Sequence, residues 1–210
     1  MRVCFLVSFL FLFIACDQPG KTTKKPEINP GLLISCEGIG EVKLTDSHAA
    51  LEKKFGAAAL TEHENTETGK YTTIWENDVK RVNVYWQESK APFEKIRYIE
   101  APDALSPYLT SDSVRVGLTL RELVKKNGNM TITFRNFFAS KQGGVIKTFN
   151  SGEIAKTNPC LGGNLEWVKQ TNIYVAEQNE FRSKEVLESY DRILERIEVV
   201  LSSIRISPKQ

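Results

Sequence analysis

The chain has 210 residues, with 28 lysines and arginines against 26 aspartates and glutamates and a net charge of +2 at neutral pH. Such a near balance, with the two signs interspersed, gives no electrostatic footprint for nucleic acid. Hydrophobic residues at 41% and aromatic residues at 10% suit an ordinary globular core.

The first element in chain order is a secretion signal. Arg2 supplies a positive start, Val3 to Ile14 is apolar apart from Ser8, and Ala15 is small. A membrane-spanning helix needs about 20 apolar residues, and polar Asp17-Gln18-Pro19-Gly20 arrives too early for that. An ordinary signal peptidase site carries small residues in an A-x-A spacing. Phe13-Ile14-Ala15-Cys16 instead resembles the lipobox of bacterial lipoprotein signals, with Phe13 where leucine is usual. The resemblance implies a signal peptide over residues 1–15 and acyl chains, palmitate among them, on Cys16. These chains would hold the protein on an inner or outer membrane of the cell envelope, outside the cytoplasm, without spanning it. Residues 16–30 read as a flexible tether rich in proline, threonine and lysine, too polar to fold alone.

Cys4 would leave with the signal, so Cys36 and Cys160 remain for the folded part. In an oxidising compartment an even pair favours a disulfide, with two buried free thiols or a metal site as the alternatives.

The remaining chain reads as an α+β fold of two tandem helix-then-antiparallel-sheet repeats. The first covers residues 31–100, a linker spans 101–110, and the second repeat covers 111–207 with a C-terminal helix and strand. A shift of 72 residues places Gly56 on Gly128 and superposes Val42–Gly56 on Val114–Gly128. Each stretch is an extended entry followed by a helix with a cap, Ser47 or Thr119. Each helix has a leucine on its buried stripe, Leu51 or Leu123, then two lysines in the last turn and a terminating glycine. Alternation predicts strands over Tyr71–Trp75, Arg81–Trp86 and Lys95–Ile99 in the first repeat. The second has Met130–Phe134, Gly144–Phe149, Leu165–Val168 and Ile173–Val175. A helix is expected around Ser183–Glu195 and a last strand near Val199–Ile206, although Arg192–Ser203 also reads as continued helix.

Gly117-Leu118-Thr119, with Leu123 and Gly128, resembles the Gly-Met-Thr…Leu/Val…Gly signature of small envelope lipoproteins of the BamE-like (SmpA/OmlA) fold. The tandem arrangement is also similar to the beta-lactamase inhibitor protein family. Gly38-Ile39-Gly40-Glu41-Val42-Lys43-Leu44 and its echo at Val114–Leu123 are similar to uncharacterised lipoproteins of Bacteroidota. In repeat one, Thr45-Asp46-Ser47 departs from the signature. The resemblance implies a binding or scaffolding role and carries over no functional residue, because fold alone does not fix function.

Motifs of chemistry are sparse. His48 and His63 are the two histidines. Neighbours at a helix start diverge, so Ser47 and His48 form no nucleophile–base pair. Cys36, Cys160, His48 and His63 lack ligand-pair spacing, so no metal and no cofactor is expected. Gly38-Ile39-Gly40 reads as a turn, and the acidic run Glu62–Glu67 as a solvated hairpin loop. Two hypotheses follow. One is a non-catalytic module that presents aromatic residues such as Tyr85 or Trp86 to an envelope protein or glycan. The other is an envelope hydrolase whose carboxylates, for instance Glu41 and Glu166, converge only in the fold. Lipidation has a direct test: labelled palmitate is incorporated by the wild type and lost in Cys16→Ala, and equal labelling of both would refute the anchor.

Overall fold

A computed structural model describes residues 28–139, 142–170 and 174–208. The expected signal, Cys16, the tether up to residue 27, and Ile173 lie outside the described residues. The first half forms β1 (Leu33–Ser35), β2 (Gly38–Ile39), β3 (Val42–Lys43), α1 (His48–Phe55), β4 (Leu60–Asn65), β5 (Gly69–Ile74), β6 (Val82–Trp86), β7 (Ile96–Ala101) and β8 (Leu109–Thr110). Then come α2 (Leu120–Lys126), β9 (Thr133–Arg135), β10 (Ile146–Thr148), α3 (Glu153–Thr157), β11 (Leu161–Gln170), α4 (Val175–Ser183), β12 (Val186–Glu188) and β13 (Ile197–Ile206).

Local chemistry sets both principal helices. The Ser47 hydroxyl accepts from the Ala50 amide and opens α1, which ends where Gly56 takes a φ of +83°. Thr119 opens α2 through a reciprocal capping box with Glu122. Leu51 and Leu123 are both fully buried. The two helices thus share cap, stripe and stop, but they lead into different surroundings.

After α1 the chain runs as the antiparallel meander β4–β5–β6–β7. After α2 the strands divide. β9 pairs with β10 and β12 in a small sheet, whereas β11 and β13 extend the meander into one six-stranded sheet of order β11-β13-β7-β6-β5-β4. The junction is antiparallel, with Ile204 opposite Ala101, Arg205 opposite Glu100 and Ile206 opposite Ile99. Where β7 stops, residues 117–118 take its place: Gly117 donates to Leu201 and Leu201 donates back to Leu118. A third sheet, β3-β2-β1-β8, is antiparallel except for the parallel pair β1 and β8.

Alternation along β5, β6, β7 and β13 puts Ile74, Val82, Val84, Ile99, Ile204 and Ile206 on one face, each fully buried. One apolar cluster runs from Ile34 to Ile206 and draws on both halves. The expected linker packs into it: Tyr108 is 2% exposed and its hydroxyl donates to the Lys80 carbonyl at 3.0 Å. Asn127 fastens the second half. It is fully buried, its amide donates to Met130 and Phe149 carbonyls, and its oxygen accepts from the Ile154 amide. Gly152 permits this closeness, since a Cβ there would lie 2.2 Å from the Asn127 oxygen.

Three sequence expectations are corrected. The acidic run is a loop only at its end: Thr66 and Glu67 form the exposed hairpin turn, but Glu62, His63, Glu64 and Asn65 belong to β4 and pair residue for residue with β5. The helix expected around Ser183–Glu195 sits earlier, at Val175–Ser183, where Val175 had been assigned to a strand. The buried Asn136 side chain donates to the Phe181 and Lys184 carbonyls, which ends α4 there and frees Val186–Glu188 to pair with β9. Arg192–Glu195 is a single 3₁₀ turn, and β13 begins at Ile197.

Cys36 and Cys160 are joined in a disulfide, with Cα atoms 5.4 Å apart and a sequence separation of 124. It fixes the chain just after β1 to the residue before β11. Cross-linking so long a loop is worth about 4–5 kcal/mol in the chain-entropy model, before strain and residual structure subtract. Replacing both cysteines by serine is therefore expected to lower the unfolding free energy by up to about 4 kcal/mol. Urea unfolding of the variant, and of the reduced wild type, reads this loss.

Candidate functional site

The sheet face away from the core carries a cross-strand ring ladder. Register sets it up: His63 faces Tyr71, Tyr71 faces Tyr85, and Tyr85 faces Tyr98. Successive ring centroids stand 4.8, 4.9 and 4.2 Å apart in stacked geometry. The Arg205 guanidinium caps the row, 4.1 Å from the Tyr98 ring centre. Beside it, the Glu100 carboxylate accepts from the Tyr85 hydroxyl at 3.1 Å, the Ser203 hydroxyl at 2.8 Å and Arg205 at 3.1 Å. Burial pushes the Tyr85 phenol far up, with the Glu100 charge adding to it, and burial also raises Tyr98.

Two concavities open nearby. The first, about 590 Å³, lies on this sheet face and is lined by Glu67, Glu100, Asn164, Glu166, Ser203 and Arg205 among others. Its Glu100 carboxylate already accepts from Ser203 and from one Arg205 nitrogen, while the buried Arg205 Nε has no hydrogen-bond partner among the described residues.

The second is a cleft of about 670 Å³ between α2 and residues 189–199. Its apolar lining is Leu120, Val124, Leu194, Ile197 and Val199. The wall facing α2 is held in place by several bonds. Ser189 exchanges bonds with Ile132, the Tyr190 hydroxyl donates to the Asn129 carbonyl, and Lys184 pairs with Asp191 at 2.6 Å. That Asp191 bond holds the Lys184 ammonium above the usual lysine range. Arg196 pairs with Glu177 and lies over the Tyr174 ring. By contrast, Arg121 and Lys125 on the α2 wall, and Glu195 and Glu198 opposite, have no ion-pair or side-chain hydrogen-bond partner among the described residues. Volume, apolar floor and a few convergent polar groups are the attributes of a ligand site.

The residues singled out in the sequence lie elsewhere. His48 bonds Glu62 at 2.8 Å, and His63 pairs with Glu76 at 3.1 Å. Cys36 and Cys160 are bonded to each other and present no thiolate to either histidine, and no group of three candidate metal ligands occurs among the described residues. Glu41 sits in the β2–β3 turn with its carbonyl bonded by Lys54, while Glu166 lies on β11 in the sheet groove; the fold does not converge them. Trp86 is core, its indole donating to the Thr72 hydroxyl at 2.8 Å, and Tyr85 is its buried neighbour on the other face. Phe138 is the exposed member of the second half's phenylalanines, 44% accessible, with Arg182 over its ring. The cleft residues went unread: Arg121 and Lys125 stand four apart on one helix face, the available signal, while Glu195 and Glu198 fell in a segment read as helix. Glu100, alone among apolar neighbours on its strand, was the signal for the sheet cluster.

Compared with protein-family models, with curated proteins and with solved structures, the chain matches none.

Removing the Glu100 carboxylate strands the Tyr85, Ser203 and Arg205 donors. Glu100→Ala is expected to cost about 2–3 kcal/mol, and Glu166→Ala on exposed β11 under about 0.5 kcal/mol, both read by urea unfolding. Alkali gives a second check. Burial raises Tyr108 to about 12, and Tyr85 lies higher still, whereas an unfolded tyrosine ionises near 10.0. The folded state retains protons that the unfolded chain releases, so stability is intact below pH 10 and falls as pH rises above it. Unfolding curves from pH 8 to about 12 would show this slope, and Tyr85→Phe should flatten it.

Proposed function

We propose that this protein is a non-catalytic binding module of the bacterial cell envelope, held to a membrane by acyl chains on Cys16, with the α2 cleft as its ligand site. The observation that carries the reading is the cleft itself, where an apolar floor lies between walls on which the Arg121, Lys125 and Glu195 side chains have no ion-pair partner among the described residues. In the sheet groove the central charges are already engaged with each other. The disulfide supports an oxidising compartment, since such bonds persist outside the cytoplasm. Among the described residues no helix is long and apolar enough to cross a membrane. The shared cap, stripe and stop of α1 and α2 support a duplicated helix-then-sheet unit of BamE-like type. A hydrolytic reading has less behind it, because Glu41 and Glu166 are not brought together.

Photo-crosslinking from native membranes tests the assignment. A photoreactive residue at Leu194, in the cleft, is expected to give a discrete adduct, and one at Glu166, in the sheet groove, none. Adducts from Glu166 alone would move the site to the sheet face.

A further inference from the structure

The charge layout of the cleft narrows its ligand. Arg121 and Lys125 stand one helical turn apart on α2, both exposed. Glu195 stands on the facing wall, also exposed, while Glu198 contributes to the lining with its side chain alternating away from Ile197 and Val199. The other ionic groups there are neutralised at home, Asp191 by Lys184 and Arg196 by Glu177. The empty cleft therefore has a cationic wall, an anionic wall and an apolar floor of Leu120, Val124, Leu194, Ile197 and Val199 between them. Arg121 and Lys125 are like charges one helical turn apart and repel, so the α2 wall gains when a negative charge arrives. A simple anion would be attracted by one wall and repelled by the other, and so would a simple cation. The complementary ligand carries a negative end, a positive end and an apolar body.

Building on the reading of this cleft as the binding site, we propose that its ligand is a short linear peptide with free termini, its carboxylate toward Arg121 and Lys125 and its ammonium toward Glu195. A peptide advances about 3.3 Å per residue when extended, so its two termini can stand on opposite walls, whereas a single amino acid keeps them adjacent. A volume of about 670 Å³ accommodates a body of that size. At the rim the Ser189 hydroxyl, which accepts from the Ile132 amide, keeps its own proton to donate to the ligand backbone.

The test uses the folded chain and the tripeptide Ala-Leu-Ala, followed by amide chemical shifts and calorimetry. The free tripeptide is expected to shift signals of α2 and residues 189–199. Amidating its C-terminus or acetylating its N-terminus should each weaken binding about fivefold. Arg121→Ala with Lys125→Ala should abolish the effect of amidation and keep that of acetylation, and Glu195→Gln should do the reverse. Equal binding of the doubly blocked tripeptide in the cleft would overturn the charge assignment while leaving the cleft as a binding site. Shifts confined to the sheet groove would overturn both readings. Cleft shifts produced by phosphatidylethanolamine vesicles and not by the tripeptide would replace the peptide with a zwitterionic lipid.

Discussion

Everything else in the molecule depends on the pairing of β7 with β13. These strands come from opposite halves of the chain, and their junction turns a four-stranded meander and a two-stranded ribbon into one sheet. The core face of the junction is Ile99, Ala101, Ile204 and Ile206, all fully buried. On the other face, Glu100 accepts from Ser203 and Arg205, residues 103 and 105 positions away. Apolar burial favours many registers, but a buried carboxylate with three donors tolerates only one. A slip of one residue would turn Glu100 into the apolar core and strand its donors. The polar cluster thus selects the register that the hydrophobic face stabilises.

The disulfide works at the same end of the sheet. Cys160 precedes Leu161, which faces Ile206 on β13, and the Ser207 amide donates to the Cys160 carbonyl. The bond therefore fixes the β1 region to the strand pair that closes the sheet. Closing a loop of this length costs entropy that rises only slowly with further residues. One covalent link near the junction accordingly lowers the entropy cost of every long-range contact beyond it.

Much of this was legible locally and little of it globally. Ser47, Thr119, Leu51, Leu123, Gly56 and Gly128 declare their helices because caps, stripes and stops are written within a few residues. The strands over Tyr71–Ile74 and Val82–Trp86 declare themselves by alternation. The pairing of Cys36 with Cys160 came from counting. Pairing between distant strands leaves no local trace: Ile197–Ile206 reads equally as apolar helix or strand until β7 and β11 flank it. α4 was displaced because its end is set by Asn136, 45 residues earlier in the chain. The cleft was hidden for the same reason, since its two walls are separated in sequence and its charges are unremarkable one by one.

The same partition explains where binding capacity is left over. Aromatic residues are the usual anchors of a binding face, yet Trp86 belongs to the core and Tyr85 and Tyr98 to the ladder that braces the sheet junction. Altering them would disturb β7–β13 before it disturbed any ligand. The α2 cleft is set apart from that constraint. Its floor rests on the N-terminal half of β13, beyond the stretch paired with β7, and the Arg121, Lys125 and Glu195 side chains on its rim have no ion-pair partner among the described residues. Rim substitutions there can change what is bound without touching the register of the sheet. A rigid junction at one end of β13 and an adaptable cleft at the other make a scaffold in which specificity varies independently of fold.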